Sequence, residues 1–351
     1  MAFGPKAEVL GASIQIMNQS FSKMAENQTL PLVSILIPLY NEEKYIVQTI
    51  ECCLNQTYKN IEVIVIDDHS TDKSLAIAKS YESDRVHVFE NPDQQGVSSA
   101  RNYAFEKSTG QFIKYLDSDD YFTQGMIEKQ MERILADGEA DSIVYSQLRF
   151  FHMPDKPEDW LSGLTKDYQP ATEYIVDMFR TSKHLWFPLM YLFPRSVVEK
   201  TGGWNTKRTY CEDTEFIATA ISLSRKMLFV DEEYAVWRVF EDNKHLHALK
   251  SPQVKIQKIE VLFYMSKLIL NDKDTAEIRA ICSKYISYSV YNMFLMIHSL
   301  YDYIEELFEK NKLTWMKYEN PRLHLLYKVL GWRRATTLIL KTKALFSKTN
   351  D

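Results

Sequence analysis

Gln111-Phe112-Ile113-Lys114-Tyr115-Leu116-Asp117-Ser118-Asp119-Asp120 is an apolar run of strand length that ends in three carboxylates within four positions. Carboxylates this close repel one another and raise each other's pKa unless a cation neutralises them, and an oxygen-rich site open to solvent suits Mg²⁺ or Mn²⁺. A second reading competes: Asp119 or Asp120 caps a helix running from Tyr121 to Met131, because Asp is a favoured N-cap.

Working outward, short apolar runs alternate with helical patterns from Pro31 onward. Leu32 to Pro38 reads as a buried strand, and Glu43 to Asn55 as a helix with Ile46, Ile50 and Leu54 on one face. Ile61 to Asp68 is a second strand ending in acid, followed by a helix over Lys73–Tyr81. Val86–Phe89 and Ser98–Lys107 repeat the pattern, and Gln111–Leu116 supplies a fourth strand. This alternation predicts an α/β domain with a mainly parallel central sheet flanked by helices, whose ligands bind beyond the carboxyl ends of the strands. Asp67, Asp68 and Asp117 to Asp120 all fall at such ends and should line one cleft.

The 351 residues are 45% hydrophobic and 25% charged, enough to bury a sizeable core. A net charge of −5 argues against a nucleic-acid partner. Cys52, Cys53, Cys211 and Cys282 form no Cys-x-x-Cys pair, and a reduced cytoplasmic compartment is the default. The chain has neither a signal-peptide pattern nor an apolar run of membrane-spanning length. In the extension 1–30, Leu10, Ile14, Met17, Phe21 and Met24 form one helical stripe, which reads as packing or as a leader.

Five blocks between Val33 and Asp120 now stand together. They are Val33-Ser34-Ile35-Leu36-Ile37-Pro38-Leu39-Tyr40-Asn41-Glu42, Gln56-Thr57-Tyr58, Val65-Ile66-Asp67-Asp68-His69-Ser70-Thr71-Asp72, Gly96-Val97-Ser98-Ser99-Ala100-Arg101-Asn102 and Asp117-Ser118-Asp119-Asp120. In order and spacing they resemble the family 2 glycosyltransferases of GT-A fold, bacterial type, and the resemblance extends through Cys211-Glu212-Asp213 to cover residues 31–240. It implies transfer of a sugar from a nucleotide diphosphosugar, usually with UDP, to an acceptor hydroxyl. A saccharide or lipid-linked acceptor is the family-level expectation. A diphosphate leaving group calls for a divalent cation, Mn²⁺ or Mg²⁺, which the resemblance places on Asp117 and Asp119. It further implies a nucleotide-sugar site from Pro38, Tyr40, Glu42, Asp68, Arg101, Asp117, Ser118 and Asp119. A Tyr40 ring can stack on a base, Asp68 can accept the uracil N3 hydrogen, and Arg101 can serve the phosphates. Asp67 reads equally well as a structural acid, and Arg101 as an ion pair between acidic loops. Asp213 takes the place of the general base of an inverting displacement, with Glu212 its neighbour. The bland alternative leaves Asp213 merely in the first turn of a helix, favouring its dipole.

For the acceptor side, Gly202-Gly203-Trp204 can present an aromatic sugar platform, or Trp204 can pack in the core. Arg238, His245 and His247 are candidates for closing over the diphosphate. The catalytic domain is expected over 31–245 and a helical region over 246–351. From Asn320 to Asn350 there are seven Lys or Arg residues and no acid. With residues 334–348 helical, Ala335, Leu338, Ile339, Leu345 and Phe346 make an apolar arc flanked by Arg334, Lys341, Lys343 and Lys348, a pattern for peripheral contact with an anionic membrane or for packing on the acidic domain. Two rivals remain: a catalytically silent nucleotide-sugar-binding scaffold, whose hallmark would be loss of Asp119 or Asp213, and a Mg²⁺-dependent phosphohydrolase, which leaves the Asn41 and Asp68 blocks unexplained. No dinucleotide fingerprint or P-loop is present.

Overall fold

The computed structural model describes residues 30–92, 96–152, 159–160, 163–182, 186–240, 251–297 and 301–316, with residues 330, 334, 337 and 338 beyond them. The stripe within residues 1–29, His245 and His247, and all of the basic tail but those last positions lie outside the described residues.

Strand β1 (Val33–Leu39) is buried at every position, as a continuous apolar run must be when both faces of a parallel sheet are covered. It lies parallel to β2 (Ile61–Asp67) on one side and to β4 (Phe112–Tyr115) on the other, with β3 (Val86–Glu90) outside β2. Helices α1 (Ile46–Leu54), α2 (Ser74–Lys79) and α3 (Val97–Lys107) connect these strands. The acidic runs ending β2 and β4 are thereby brought to one end of the sheet.

No helix crosses over directly after β4, and the sheet beyond it is mixed. A two-residue β5 (Tyr121–Phe122) leads to α4 (Met126–Asp137), β6 (Ser142–His152) and β7 (Asp159–Trp160). Next come α5 (Thr172–Thr181), a 3-10 turn over Pro188–Met190 and β8 (Tyr191–Pro194), then α6 (Arg195–Thr201), α7 (Glu212–Ser222) and β9 (Lys226–Val239). The strand order is β3-β2-β1-β4-β8-β6-β9-β5, with β7 on β6. Strand β8 is antiparallel to β4 and β6, whereas β6 and β9 are parallel across a bulge at Ser146/Gln147.

The helix expected from Tyr121 to Met131 therefore starts later, and neither Asp119 nor Asp120 caps it. Tyr121 and Phe122 pair instead with Val236 and Ala235 of β9, where Phe122 is buried and its type favours a strand. The N-cap of α4 is Gly125. The orphan N–H of Ile127 donates to Gln56 Oε1 at 3.3 Å, so a side chain from the Gln56-Thr57-Tyr58 block does the capping from a distance.

Under the acidic loop the core is aromatic. Tyr115 is wholly buried and meets Trp204, Phe216 and Phe193 edge-on at 5.0, 5.5 and 6.2 Å. Helices α8 (Pro252–Asp272), α9 (Ala276–Ile297) and α10 (Tyr301–Lys310) complete the described chain. Helix α8 packs on α7 and α5, and α9 on α5. Among the described residues no helix is long and apolar enough to cross a membrane.

Candidate active site

Beyond β1, Tyr40 projects with 47% of its surface exposed. The next residue, Asn41, sits in the left-handed region at φ 54°, which Asn tolerates better than most side chains. Its Oδ1 accepts the Thr71 N–H at 2.7 Å and its own N–H donates to Ser70 Oγ at 3.1 Å. Asn41 thus staples the loop after β1 to the loop after β2. Asp67 turns inward, accepting the Ser70 N–H at 3.1 Å, in keeping with its structural reading. Asp68 is buried as well, accepting Asn91 Nδ2 at 2.7 Å and the Gly96 N–H at 2.8 Å. It ties β2 to the residue after β3 and to the start of α3. Asn91 was not legible as a partner from the sequence, because nothing in its surroundings repeats.

The acidic loop is held through its backbone and through the buried Asp120 carboxylate. Thr49 Oγ1 of α1 reaches the carbonyls of Ser118 and Asp120, both at 2.9 Å. Arg238, a candidate for closing over the diphosphate, is a buried residue of β9. Its N–H donates to Asp120 Oδ1 at 2.9 Å, and its guanidinium donates to the Asp119 carbonyl and to Gln48 Oε1. The guanidinium also lies between Tyr45 and Tyr121, 5.2 and 4.7 Å from the ring centres. Arg238→Ala should therefore cost about 3 kcal/mol, because it removes two hydrogen bonds from a buried charged donor, each worth about 1.5–3 kcal/mol. Chemical denaturation checks this, and a loss under about 1 kcal/mol would show that the loop stands without it.

Charge in this loop is only partly neutralised. Burial, then Asp119 and Asp117, push the Asp120 carboxyl well above its ordinary range. Glu42 is raised to about 7, first by burial and then by Asp119 and Asp72.

Arg101 joins the loop to the second half of the domain. It is buried, donates through Nη2 to Asp117 Oδ1 at 2.7 Å, and brings Nη1 to 3.9 Å from Glu212 Oε1. Its Nε and Nη1 are buried and make no hydrogen bond among the described residues. Burial opposes its charge, but Asp117, then Glu212 and Asp213, keep its pKa above the ordinary value. Beneath it lies Trp204, 4.2 Å from guanidinium to ring centre. Trp204 is only 3% exposed and stacks on Phe216 at 4.1 Å, so it is no sugar platform but the floor under Arg101. The Asn102 side chain clamps it, accepting the Trp204 N–H at 2.7 Å and donating to its carbonyl at 2.9 Å. Gly203, at φ 90°, must be glycine for this contact: a Cβ would come within 2.8 Å of Asn102 Oδ1. The Ala100-Arg101-Asn102 and Gly202-Gly203-Trp204 blocks are thus one assembly.

Asp213 stands in the first turn of α7, after Cys211 in the left-handed region. Its Oδ1 accepts the Thr214 N–H at 2.6 Å. Burial, then the neighbouring Glu212 charge, raise its carboxyl to about 7, against the opposing pull of Thr214 and Arg101. A carboxylate so tuned can exchange a proton near neutrality. It faces a cavity of about 500 Å³.

Residues 34–194 match the model of the family described as glycosyl transferase family 2. An uncharacterized glycosyltransferase of Haemophilus influenzae is 47% identical over 108 residues, which are 30% of this chain and 43% of that protein. A putative teichuronic acid biosynthesis glycosyltransferase of Bacillus subtilis, TuaG, is 39% identical over 104 residues, 29% and 41% of the two chains. The chain spans about half the length of the curated relatives it matches. Among solved structures, residues 1–349 of Staphylococcus aureus TarS in complex with UDP superpose with a TM-score of 0.64 at 20% identity, over 89% of this chain and 91% of that one. The mixed sheet with flanking helices is therefore a GT-A-like fold, and its likeness to glycosyl transferase family 2 lies in residues 34–194.

Proposed function

We propose that the chain is an inverting, metal-dependent glycosyltransferase that moves a sugar from a UDP-sugar to a hydroxyl of a saccharide or lipid-linked acceptor, in the synthesis of a cell-surface polysaccharide or glycolipid. The observation that carries this reading is Arg101, a buried cation between the acidic loop and Glu212-Asp213 whose Nε and Nη1 make no hydrogen bond among the described residues. Those donors suit the phosphate oxygens of a leaving diphosphate.

Tyr40 offers its exposed ring to the base, and Asp68, fixed by Asn91 and Gly96, is the acceptor for the uracil N3–H. Pro38, Glu42 and Ser118 complete the donor side. Asp213 removes the proton of the acceptor hydroxyl as its oxygen bonds to the anomeric carbon and the bond from that carbon to the diphosphate breaks. A single displacement inverts the centre. Asp119, with the oxygen of Asp117 not committed to Arg101, would hold Mn²⁺ or Mg²⁺. Asp120 and Glu42, raised first by burial and then by the neighbouring carboxylates, stand beside that position. Among the described residues no third carboxylate, His or Cys completes a protein cage, as suits ions held by one or two carboxylates and phosphate oxygens. The cation supplies charge neutralisation to the departing diphosphate.

A screen of nucleotide sugars by thermal unfolding tests the reading. A cognate donor at a hundred times its Kd should add about 2.7 kcal/mol of stability. If no nucleotide diphosphosugar raises Tm with Mn²⁺ present, the reading fails. The basic tail carries a further expectation. The full chain should co-sediment with anionic liposomes at low salt and be released at high salt, while a chain ending at Glu319 should not. Equal binding by the two chains would remove the tail from any membrane role.

A further inference from the structure

Two cavities lie where helices α8 and α9 meet the catalytic half, and Tyr285 of α9 stands in the wall of both. The first, about 500 Å³, has Glu212, Asp213 and Thr214 on one side and the rings of Trp186, Phe187 and Tyr210 on another, with Lys258 of α8 among its lining. The second, about 340 Å³, is lined by Phe179 and Arg180 at the end of α5 and by Lys284 and Tyr288 of α9. Two cations and no carboxylate appear in that second lining.

The C-terminal helices also hold the loop that carries the base. Gln257 Oε1 of α8 accepts the N–H groups of Thr209 and Tyr210 at 3.2 and 2.9 Å, and its carbonyl accepts Arg208 Nη1 at 3.3 Å. The region beyond β9 thus builds one wall of the space in front of Asp213 and fixes the approach to it.

Resting on the glycosyltransferase reading above, we propose that the two cavities are consecutive subsites for an extended acceptor, with an uncharged sugar ring in the first and a phosphate- or carboxylate-bearing unit in the second. In the first, aromatic faces meet the C–H face of a ring while its hydroxyls meet the carboxylates. An anion there would be repelled by Glu212 and Asp213, with Lys258 the one opposing cation of the lining. The second has no carboxylate in its lining. Arg180 pairs with Asp177 and lies 3.7 Å from Glu277, so an incoming anion shares its guanidinium, and Lys284, which is exposed, adds a second positive charge. Tyr285, buried and packed on Phe179 at 4.4 Å, is the divider between the two. Acceptor choice therefore resides in α5, α8 and α9, apart from the donor loops.

A printed array of defined saccharides, neutral and anionic, from single sugars to hexamers, tests this with fluorescently labelled full-length chain in UDP and Mn²⁺. Signal should be confined to anionic members longer than one unit. Lys284→Glu should weaken it roughly tenfold, because an attraction of the size of a surface ion pair becomes a repulsion of like size. Lys284 is exposed, so this variant should fold, which its thermal unfolding checks. Its UDP affinity should match the wild type. Equal signal from neutral chains, equal signal from single sugars, no binding to any member, or an unaltered Lys284→Glu would each overturn the acceptor assignment while UDP binding persists. Failure of UDP itself to bind would instead sink the glycosyltransferase reading.

Discussion

Asp213→Asn is expected to leave UDP affinity within a factor of about two while sugar transfer falls by roughly 10² to 10⁴, the usual contribution of a general base. The split follows from where Asp213 stands, in the first turn of α7 and across Arg101 from the donor carboxylates. Its carboxyl is raised to about 7 by burial and by Glu212, so transfer by the wild type should rise with pH through about 7 as the base loses its proton. Stability should move the other way. A carboxyl whose native pKa lies above its unfolded value keeps its proton longer in the folded state. Its charge is then increasingly unwelcome as pH climbs from the ordinary carboxylate range to about 7. Above that, Asp213→Asn should melt higher than the wild type, since a functional acid has been exchanged for a group with no charge to bury. Rates at several pH values and thermal melts of both proteins check the two halves independently. Near-normal transfer by the variant would move the base elsewhere, with Glu212 next in line.

The first half of the domain was legible in the sequence because each strand there is a short, largely apolar run followed by an acidic or Asn-containing loop. β1, β2 and β4 needed no long-range information. Neither did the placement of the acidic runs after β2 and β4 at one end of the sheet, which follows from parallel strands. What the sequence concealed depends on partners far along the chain. Tyr121-Phe122 looked helical because its strand partner, β9, lies more than a hundred positions away. Arg238 looked like a loop cation because nothing local announces that its guanidinium will meet the Asp119 carbonyl. Trp204 beside two glycines resembles a presented ring until Asn102 and Phe216 are seen to enclose it. The contribution of Gln257, Lys258 and Tyr285 to the space before Asp213 had no sequence signal at all. They are ordinary helix residues whose meaning comes from where α8 and α9 pack.

Asp119→Asn should abolish the dependence of UDP binding on metal. In the wild type, UDP is expected to bind roughly tenfold to a hundredfold more tightly with Mn²⁺ than with EDTA, about 1.4 to 2.7 kcal/mol. This substitution is the clean one in the loop. Arg238 grips the backbone carbonyl of Asp119, a contact that an amide side chain leaves in place, so the loop should keep its shape when the carboxylate becomes an amide. Asp117→Asn is less informative, because Asp117 also holds Arg101 at 2.7 Å, and weakening that pair leaves a buried guanidinium poorly compensated. Binding that survives in EDTA should be carried by Arg101 and the stack on Tyr40, and should therefore be the same in wild type and Asp119→Asn. Calorimetric titration of UDP into both proteins, with Mn²⁺ and with EDTA, supplies the four affinities. Equal wild-type affinity in the two buffers would end the metal assignment. A variant that retained the full Mn²⁺ gain would shift the ion to Asp117 and its neighbours.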